Sequence, residues 1–274
     1  TDPEIVFLSV KSVDGRPIAL LANYSLHYVG TRAGAVISAD YFGVFADRIQ
    51  ELLGADRLGP PFVGVLCNGA SGDINNINWL KKPERRWGAY EKMTQVADLV
   101  ARAVHEAHQK IEFYDWVELD ARSRELSLAA RKPTEEQLAY ARKILAKPED
   151  APMYHKRERV YANRVMALKD SSDEVSIVVQ ALCVGDLGVC AIPFEVFAET
   201  GLELKEKSPF KKAFTISHAN GSYGYLPTPE QHELGGYETW LGTNRVEFQA
   251  SRKIVRSLLS MLGEMKSSRG EAAK

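Results

Sequence analysis

The chain has little cysteine. Cys67, Cys183 and Cys190 are the three among 274 residues, without metal-finger spacing and each in apolar, strand-like surroundings. They read as small buried hydrophobes. A cross-strand bridge between Cys183 and Cys190, on either side of the turn at Gly185-Asp186, is open but not favoured. An excess of charge of one sign is also missing. The net charge is −1, which excludes a global basic field for nucleic acid or anionic lipid. No apolar run reaches the roughly 18 residues of a membrane span. HExxH, P-loop, GxGxxG and GxSxG motifs are absent, so a metal site has to be assembled from residues distant in sequence. The chain opens with neither an initiator Met nor a signal peptide, so Thr1 is expected to be the start of a mature or trimmed product. With no Pro/Ser-rich linker and no repeat of 20–50 residues, residues 1–274 read as one domain.

The residues that are present have an ordinary globular composition, 45% hydrophobic and 26% charged. Strands are predicted over 4–10 and 17–24, joined by a turn at Asp14-Gly15. Helical spacing follows over 40–54, with Asp40 as N-cap and Gly54 beyond the end. A buried strand is expected at 61–67, a long helix at 87–110 and an alternating strand at 116–130. Residues 133–168 read as a charged, solvated helical excursion, with the Lys-Arg cluster at 156–159 on an exposed face. An apolar hairpin over 175–183 and 187–192, a helix at 194–206, a strand at 212–217 and a helix at 244–264 complete the pattern, with a frayed tail at 265–274. Strands and helices alternate without a strict βαβ repeat. The fold class is therefore α/β, with mixed β-sheets flanked by helices.

Four places attract chemistry. His27 stands just past a strand, where a neutral imidazole can bind a metal. The loop CNGASGDINNIN, 67–78, directly follows the buried strand. Its glycines allow close backbone approach, and Gly72, Asp73, Asn75 and Asn76 offer polar groups that can meet substrate or developing negative charge. Glu195, in AIPFEVF, is a carboxylate held at a strand-to-helix junction. Residues 218–238, HANGSYGYLPTPEQHELGGYE, form a long loop carrying Tyr223, Tyr225 and Tyr237. A loop that long inside a compact domain is usually functional or disordered, and its aromatic content argues against disorder. His218 is a candidate for orienting a neighbouring group. His105 and His108 read as surface residues, and His155 belongs to the excursion.

Together these segments resemble the neutral/alkaline ceramidase family, in the same order over nearly the whole chain. TDPEIVFLSVKSVDGRPIALLANYSLH is similar to a family run ending in a zinc-ligating His, here His27. ISADYFGVFA resembles the run that follows. CNGASGDINNIN is similar to the family's GDVSPN loop, AIPFE to AIPGE with its zinc-ligating Glu (Glu195), and 218–238 to a segment whose second Tyr binds zinc (Tyr225). A Tyr twelve residues later supports substrate in that segment, and here it is Tyr237. The resemblance implies that the chain is the C-terminal part of a ceramidase-like catalytic domain. It implies a zinc-dependent hydrolase that cleaves an amide of an N-acyl, lipid-like small molecule by metal-activated water, in the sphere of lipid metabolism. Zinc would be held by His27, Glu195 and Tyr225. Asn75, Asp73 and Tyr237 would serve catalysis, and Gly72, Asn76 and Tyr223 substrate binding. Asn75 stands where the family has its catalytic serine, and an amide cannot be a serine-type nucleophile. A non-catalytic lipid- or sugar-binding relative and a zinc esterase or peptidase are the alternatives. The family's first zinc histidine lies in an upstream segment not present in these residues. A trimmed segment, a separate chain and a smaller ligand set all remain open. A secreted or periplasmic location is implied by the family alone.

Overall fold

The computed structural model describes the backbone of residues 1–31, 36–56, 58–82 and 85–272, with side chains up to residue 269. Part of the small, polar stretch after His27 (32–35) and the last two residues of the tail lie outside the described residues. Three sheets form. The first has the order β1-β2-β3: β1 (Val6–Lys11) is antiparallel to β2 (Pro17–Tyr24), which is parallel to β3 (Val63–Asn68). The second has the order β4-β5-β6-β8, from β4 (Leu119–Ala129), β5 (Glu174–Val184), β6 (Leu187–Ile192) and β8 (Lys212–Ser217), antiparallel except for the β6–β8 pair. The third is a two-residue parallel pair, β7 (Glu195–Val196) with β9 (Tyr225–Leu226).

Period-two alternation explains how the sheets stack. Leu20 and Ala22 of β2 face α1 (Asp40–Leu52) and α2 (Glu91–His108), packing with Tyr41, Phe45, Ile49, Ala97 and Val104. Leu21, on the opposite face, meets Val189, Phe214 and Ile216 of the second sheet. That sheet turns Ile177, Val179, Cys190 and Ile192 towards Ile254, Leu258, Met261 and Leu262 of α7 (Ala250–Ala272). The layers therefore run helix, sheet, sheet, helix, while β4 and the adjoining start of β5 keep one face exposed. All three cysteines are free. Burial of Cys190 in the second sheet pushes its thiol up to about 12, as an inert core residue requires.

Several expectations are corrected. Asp40 does not cap α1. Ala39 holds the cap position, while the Asp40 carboxylate accepts from the Val29 and Gly30 amides at 3.0 and 2.7 Å. The region 194–206 is not one helix, because Pro193 and the β7–β9 pairing make Glu195 extended and α5 begins at Ala198 (Ala198–Lys207). The long segment 218–238 is not a plain loop. It holds β9, the short α6 (Pro229–Leu234) and a 3-10 turn, Tyr237–Thr239. His108 is no surface residue, since its Nε2 meets Ser9 Oγ at 3.0 Å between the rings of Phe7 and Phe113. The residues read as a frayed tail continue α7 to Ala272. Met265 is fully buried, and the Arg269 guanidinium donates to the Gly185 carbonyl at 2.6 Å. The excursion is a helical pair, α3 (Glu135–Leu145) and α4 (Glu158–Lys169), with a small core of its own around Ala141, Ile144 and Ala162. Within its basic cluster, Arg159 holds the chain just past α3 by donating to the Lys147 and Pro148 carbonyls at 2.8 and 2.9 Å.

Candidate functional site

The C-terminal ends of β2, β3, β6 and β8 point to one edge of the two sheets. That edge is where an open α/β architecture leaves a crevice. Asn23 of β2 donates to the Thr215 carbonyl of β8 at 2.9 Å, and Ser217 of β8 to the Gly69 carbonyl after β3 at 2.7 Å. These cross-sheet bonds keep the four strand ends in register. The residues that follow them are His27, the loop 69–78, Glu195 and His218.

Backbone contacts on three sides hold His27. Its N–H donates to the Ile74 carbonyl at 3.0 Å, which ties it to the loop. The Tyr41 hydroxyl donates to the preceding Leu26 carbonyl at 2.7 Å, and Asp40 binds the two amides at Val29 and Gly30. The ISADYFG segment therefore serves the histidine by fixing the chain on either side of it.

Glu195 and Tyr225 are register partners in the β7–β9 pair, so their side chains leave the same face side by side. Gly224, at φ +90°, makes this approach feasible, because its carbonyl accepts the Glu195 N–H at 2.9 Å. Gly72 closes the other side. Its N–H donates to Val196 O at 2.7 Å, and a Cβ there would lie 2.6 Å from the Glu195 carbonyl oxygen. Gly72 is therefore a close-packing residue whose amide is already used.

The side chains meet in the crevice. His27 Nε2 lies 3.9 Å from Glu195 Oε2, with 17% and 21% of the two side chains exposed. The Tyr225 and Tyr237 hydroxyls are 3.0 Å apart and their rings cross edge to face. Burial, then the bond to Tyr237 and the nearby Glu195 carboxylate, push the Tyr225 phenol well above its ordinary value. Burial holds the His27 imidazole below its ordinary value, aided by His218 and opposed by Glu195 and Glu238. The edge thus joins an imidazole whose protonation is disfavoured, a carboxyl group and a phenol. His218 and Glu238 are close enough to act on the imidazole.

The remaining expected residues are placed as follows. Asn75 is exposed on the loop beyond Ile74. Asn76 Nδ2 donates to the Tyr28 carbonyl at 3.3 Å, and its own carbonyl and side-chain oxygen accept from Lys92. The Asp73 carboxylate accepts from the Ala198 N–H at 2.8 Å, at the start of α5. The Tyr223 ring packs on Phe194, with centroids 5.7 Å apart. Ser71, the hydroxyl nearest in sequence to Asn75, is buried and donates to Asn68 Oδ1 at 2.8 Å.

The sequence reading missed Tyr28, Arg131, Asn244 and Trp240. The Tyr28 ring lies tilted against His27, with centroids 4.4 Å apart. Arg131 Nη1 donates to the Thr239 carbonyl at 2.7 Å and to Asn244 Oδ1 at 2.9 Å, while Asn244 Nδ2 donates to the Tyr225 carbonyl at 3.0 Å. Arg131 and Asn244 therefore set both tyrosines. Only proximity in sequence could have signalled Tyr28 and Trp240, and nothing local marks Arg131. Trp240 follows the 3-10 turn and lines a cavity of about 750 Å³ with Tyr140, Tyr161, Ala162 and Val165 of α3 and α4. Tyr161 links that cavity to the crevice through its hydroxyl, 2.6 Å from Thr243 Oγ1, because the Thr243 carbonyl accepts the Tyr225 N–H at 3.2 Å.

Whether these residues suit a metal depends on the donor set. Among the described residues no three His, Cys, Asp or Glu side chains cluster for a cation. Here two such residues are joined by a phenol. Donors around a tetrahedral zinc sit about 3.4 Å apart. At 3.9 Å, His27 and Glu195 are too far apart to bond each other and close enough to share an ion. In donor type, an imidazole, a carboxylate and a phenol suit zinc.

No family model matches the sequence, and no curated protein matches it by sequence. Solved structures do match. The neutral ceramidase of Pseudomonas aeruginosa superposes with a TM-score of 0.69 at 17% identity, covering 97% of this chain and 47% of that one. A ceramidase complexed with C2 superposes at 0.70 and 14% identity, over 97% and 48%. The chain thus spans about half the length of the structures it matches. The fold is the mixed α/β fold of the ceramidases.

Proposed function

We propose that the chain is a metal-dependent hydrolase that cleaves the amide bond of an N-acyl substrate. The observation that carries this reading is the approach of His27 to Glu195 at an ion-sharing 3.9 Å, with Tyr225 the register partner of Glu195 on the neighbouring strand. The ceramidase-like fold supports it, as does the 750 Å³ cavity beside Trp240, whose apolar wall suits an acyl chain. A zinc ion held by these three residues would supply Lewis acidity to an amide carbonyl and to water.

The chain's own groups do the rest. The Tyr237 hydroxyl, hydrogen-bonded to Tyr225 and 42% exposed as a residue, is free to donate to the carbonyl oxygen as negative charge develops on it. The exposed Asn75 side chain can hydrogen-bond the substrate but cannot attack it. Asp73 positions the loop by tying it to α5, and Gly72 lets the loop pack on Glu195. His218 and Glu238 bias the charge of His27. We further propose that Asn76 and Tyr223 shape the crevice walls.

Asn75 in place of the family's serine also favours a second reading, a metal-bearing binding protein without catalysis. Elemental analysis of the purified chain, of H27A and of E195A, alongside hydrolysis assays on N-acyl amides with wild type and N75S, separates the two. Bound zinc that is lost in both ligand variants, with amide hydrolysis by the wild type, is the expected result. Zinc without hydrolysis by either wild type or N75S supports the binding reading, and a metal-free protein overturns both.

A further inference from the structure

A second cavity, of about 610 Å³, opens beside the end of the loop that carries Asn75, at Asn76, Ile77 and Asn78. Its wall includes Val29, Gly30, Asn76 and Asn78 together with Lys81, Lys82, Arg85 and Lys92. No acidic side chain lines it among the described residues. Arg85 is paired with Glu91 at 2.7 Å, and its guanidinium carbon lies over the Trp87 ring, 3.9 Å from the centroid. Lys92 donates to Asn76. Lys81 and Lys82 form no ion pair or side-chain hydrogen bond among the described residues. The cavity therefore combines fixed cations and amides with two uncommitted ammonium groups, the donor set that anions select.

Bonded contacts connect it to the crevice. Asn76 donates to the Tyr28 carbonyl, and the Tyr28 ring packs against His27. Val29 and Gly30 of the cavity wall follow directly in sequence. The apolar cavity beside Trp240 adjoins the other flank of the crevice, through Tyr161 and Thr243. Hydrogen bonds and a ring contact thus lead from the site residues to an apolar cavity and to a cationic one.

We propose that the cavity at Lys81 and Lys82 binds an anionic head group, carboxylate or phosphate, of the molecule whose acyl chain lies beside Trp240. This rests on the hydrolase reading for the identity of that molecule, but the anion site stands on its own geometry. It assigns the chain an anionic amphiphile as substrate, in which the amide separates the acyl chain from the charge. A neutral amphiphile leaves the two lysines without a partner.

Two measurements test it on the wild type and on the double variant K81Q/K82Q. Both positions are exposed, so folding should be unaffected, and circular dichroism checks this. The first is calorimetric titration with inorganic phosphate, which needs no catalysis. The second compares hydrolysis of N-lauroylglycine, N-lauroyl phosphoethanolamine and the neutral N-lauroylethanolamine. The expected result is salt-sensitive phosphate binding that weakens about tenfold in the double variant. A similar rise in KM should appear for the anionic substrates alone, and the preferred one names the head group. Phosphate binding lost in the variant without any hydrolysis keeps the anion site and sinks the hydrolase. Hydrolysis with no preference for charge and no phosphate binding does the reverse. If the double substitution changes only adhesion to vesicles of phosphatidylglycerol and phosphatidylcholine, the lysines serve a lipid surface and the head-group site is overturned.

Discussion

Tyr237 and Gly72 would act on the proposed site in opposite ways, one through an atom it presents and one through an atom it lacks. The Tyr237 hydroxyl is the only atom removed in Y237F, and its ring contact with Tyr225 survives. If that hydroxyl meets developing charge, kcat on an N-acyl amide should fall about 100-fold while zinc content and melting temperature hold. A loss of zinc in Y237F would instead make it part of the metal site. Gly72 has no room for a methyl group, because the Glu195 carbonyl stands 2.6 Å from where Cβ would be. G72A should cost about 1–3 kcal/mol in urea unfolding, by pushing the loop off β7. The same displacement separates His27 from Glu195, since Ile74 holds His27 from the same loop. Unchanged stability would show that the loop yields freely.

At the scale of elements, the short pair β7–β9 and the 3-10 turn after α6 depend on one buried amide. Asn244 is 1% exposed, binds the Tyr225 carbonyl and receives Arg131, which also holds the end of the turn at Thr239. Substituting leucine keeps most of the volume and leaves a carbonyl and a guanidinium short of partners. N244L should cost about 1–3 kcal/mol, with the loss of order centred on β9 and the turn. Hydrogen exchange would locate it, and protection lost evenly over the whole chain would contradict it. The helical pair is set by its own cap: Thr134 and Gln137 form a reciprocal capping box at the start of α3. T134A should loosen that helix by about 1 kcal/mol, with little effect at the crevice.

At the scale of the molecule, stability should depend on pH through His232. Its ring stacks on Phe248 at 4.3 Å, and burial, with Arg131 nearby, holds its imidazole down to about 4. In the unfolded chain a histidine titrates near 6.5. Between these values the unfolded chain binds the extra proton, so stability rises with pH across that window. The stabilisation is complete above about pH 6.5 and is lost as pH falls towards 4. H232Q should flatten the denaturation midpoint against pH over that window, and parallel curves for the two proteins would exclude the histidine.

The sequence by itself determined the element order, because periodicity and turn residues are local signals. β2 and β6 fall where alternation and the turn residues at Asp14-Gly15 and Gly185-Asp186 place them. It also marked His27, Glu195, Tyr225 and Tyr237, whose motifs are short and ordered along the chain. Only the tertiary structure decided how these residues meet. The pairing of Glu195 with Tyr225 needs two strands of two residues each, too short for any period to show. Arg131 reaches Asn244 across more than a hundred residues, and no local pattern encodes a contact at that separation. Lys81 and Lys82 belong to no motif, and only the fold places them in one cavity wall with Asn76 and Gly30. Packing two sheets face to face brought the four strand ends to one edge, and that edge made separate residues into a site.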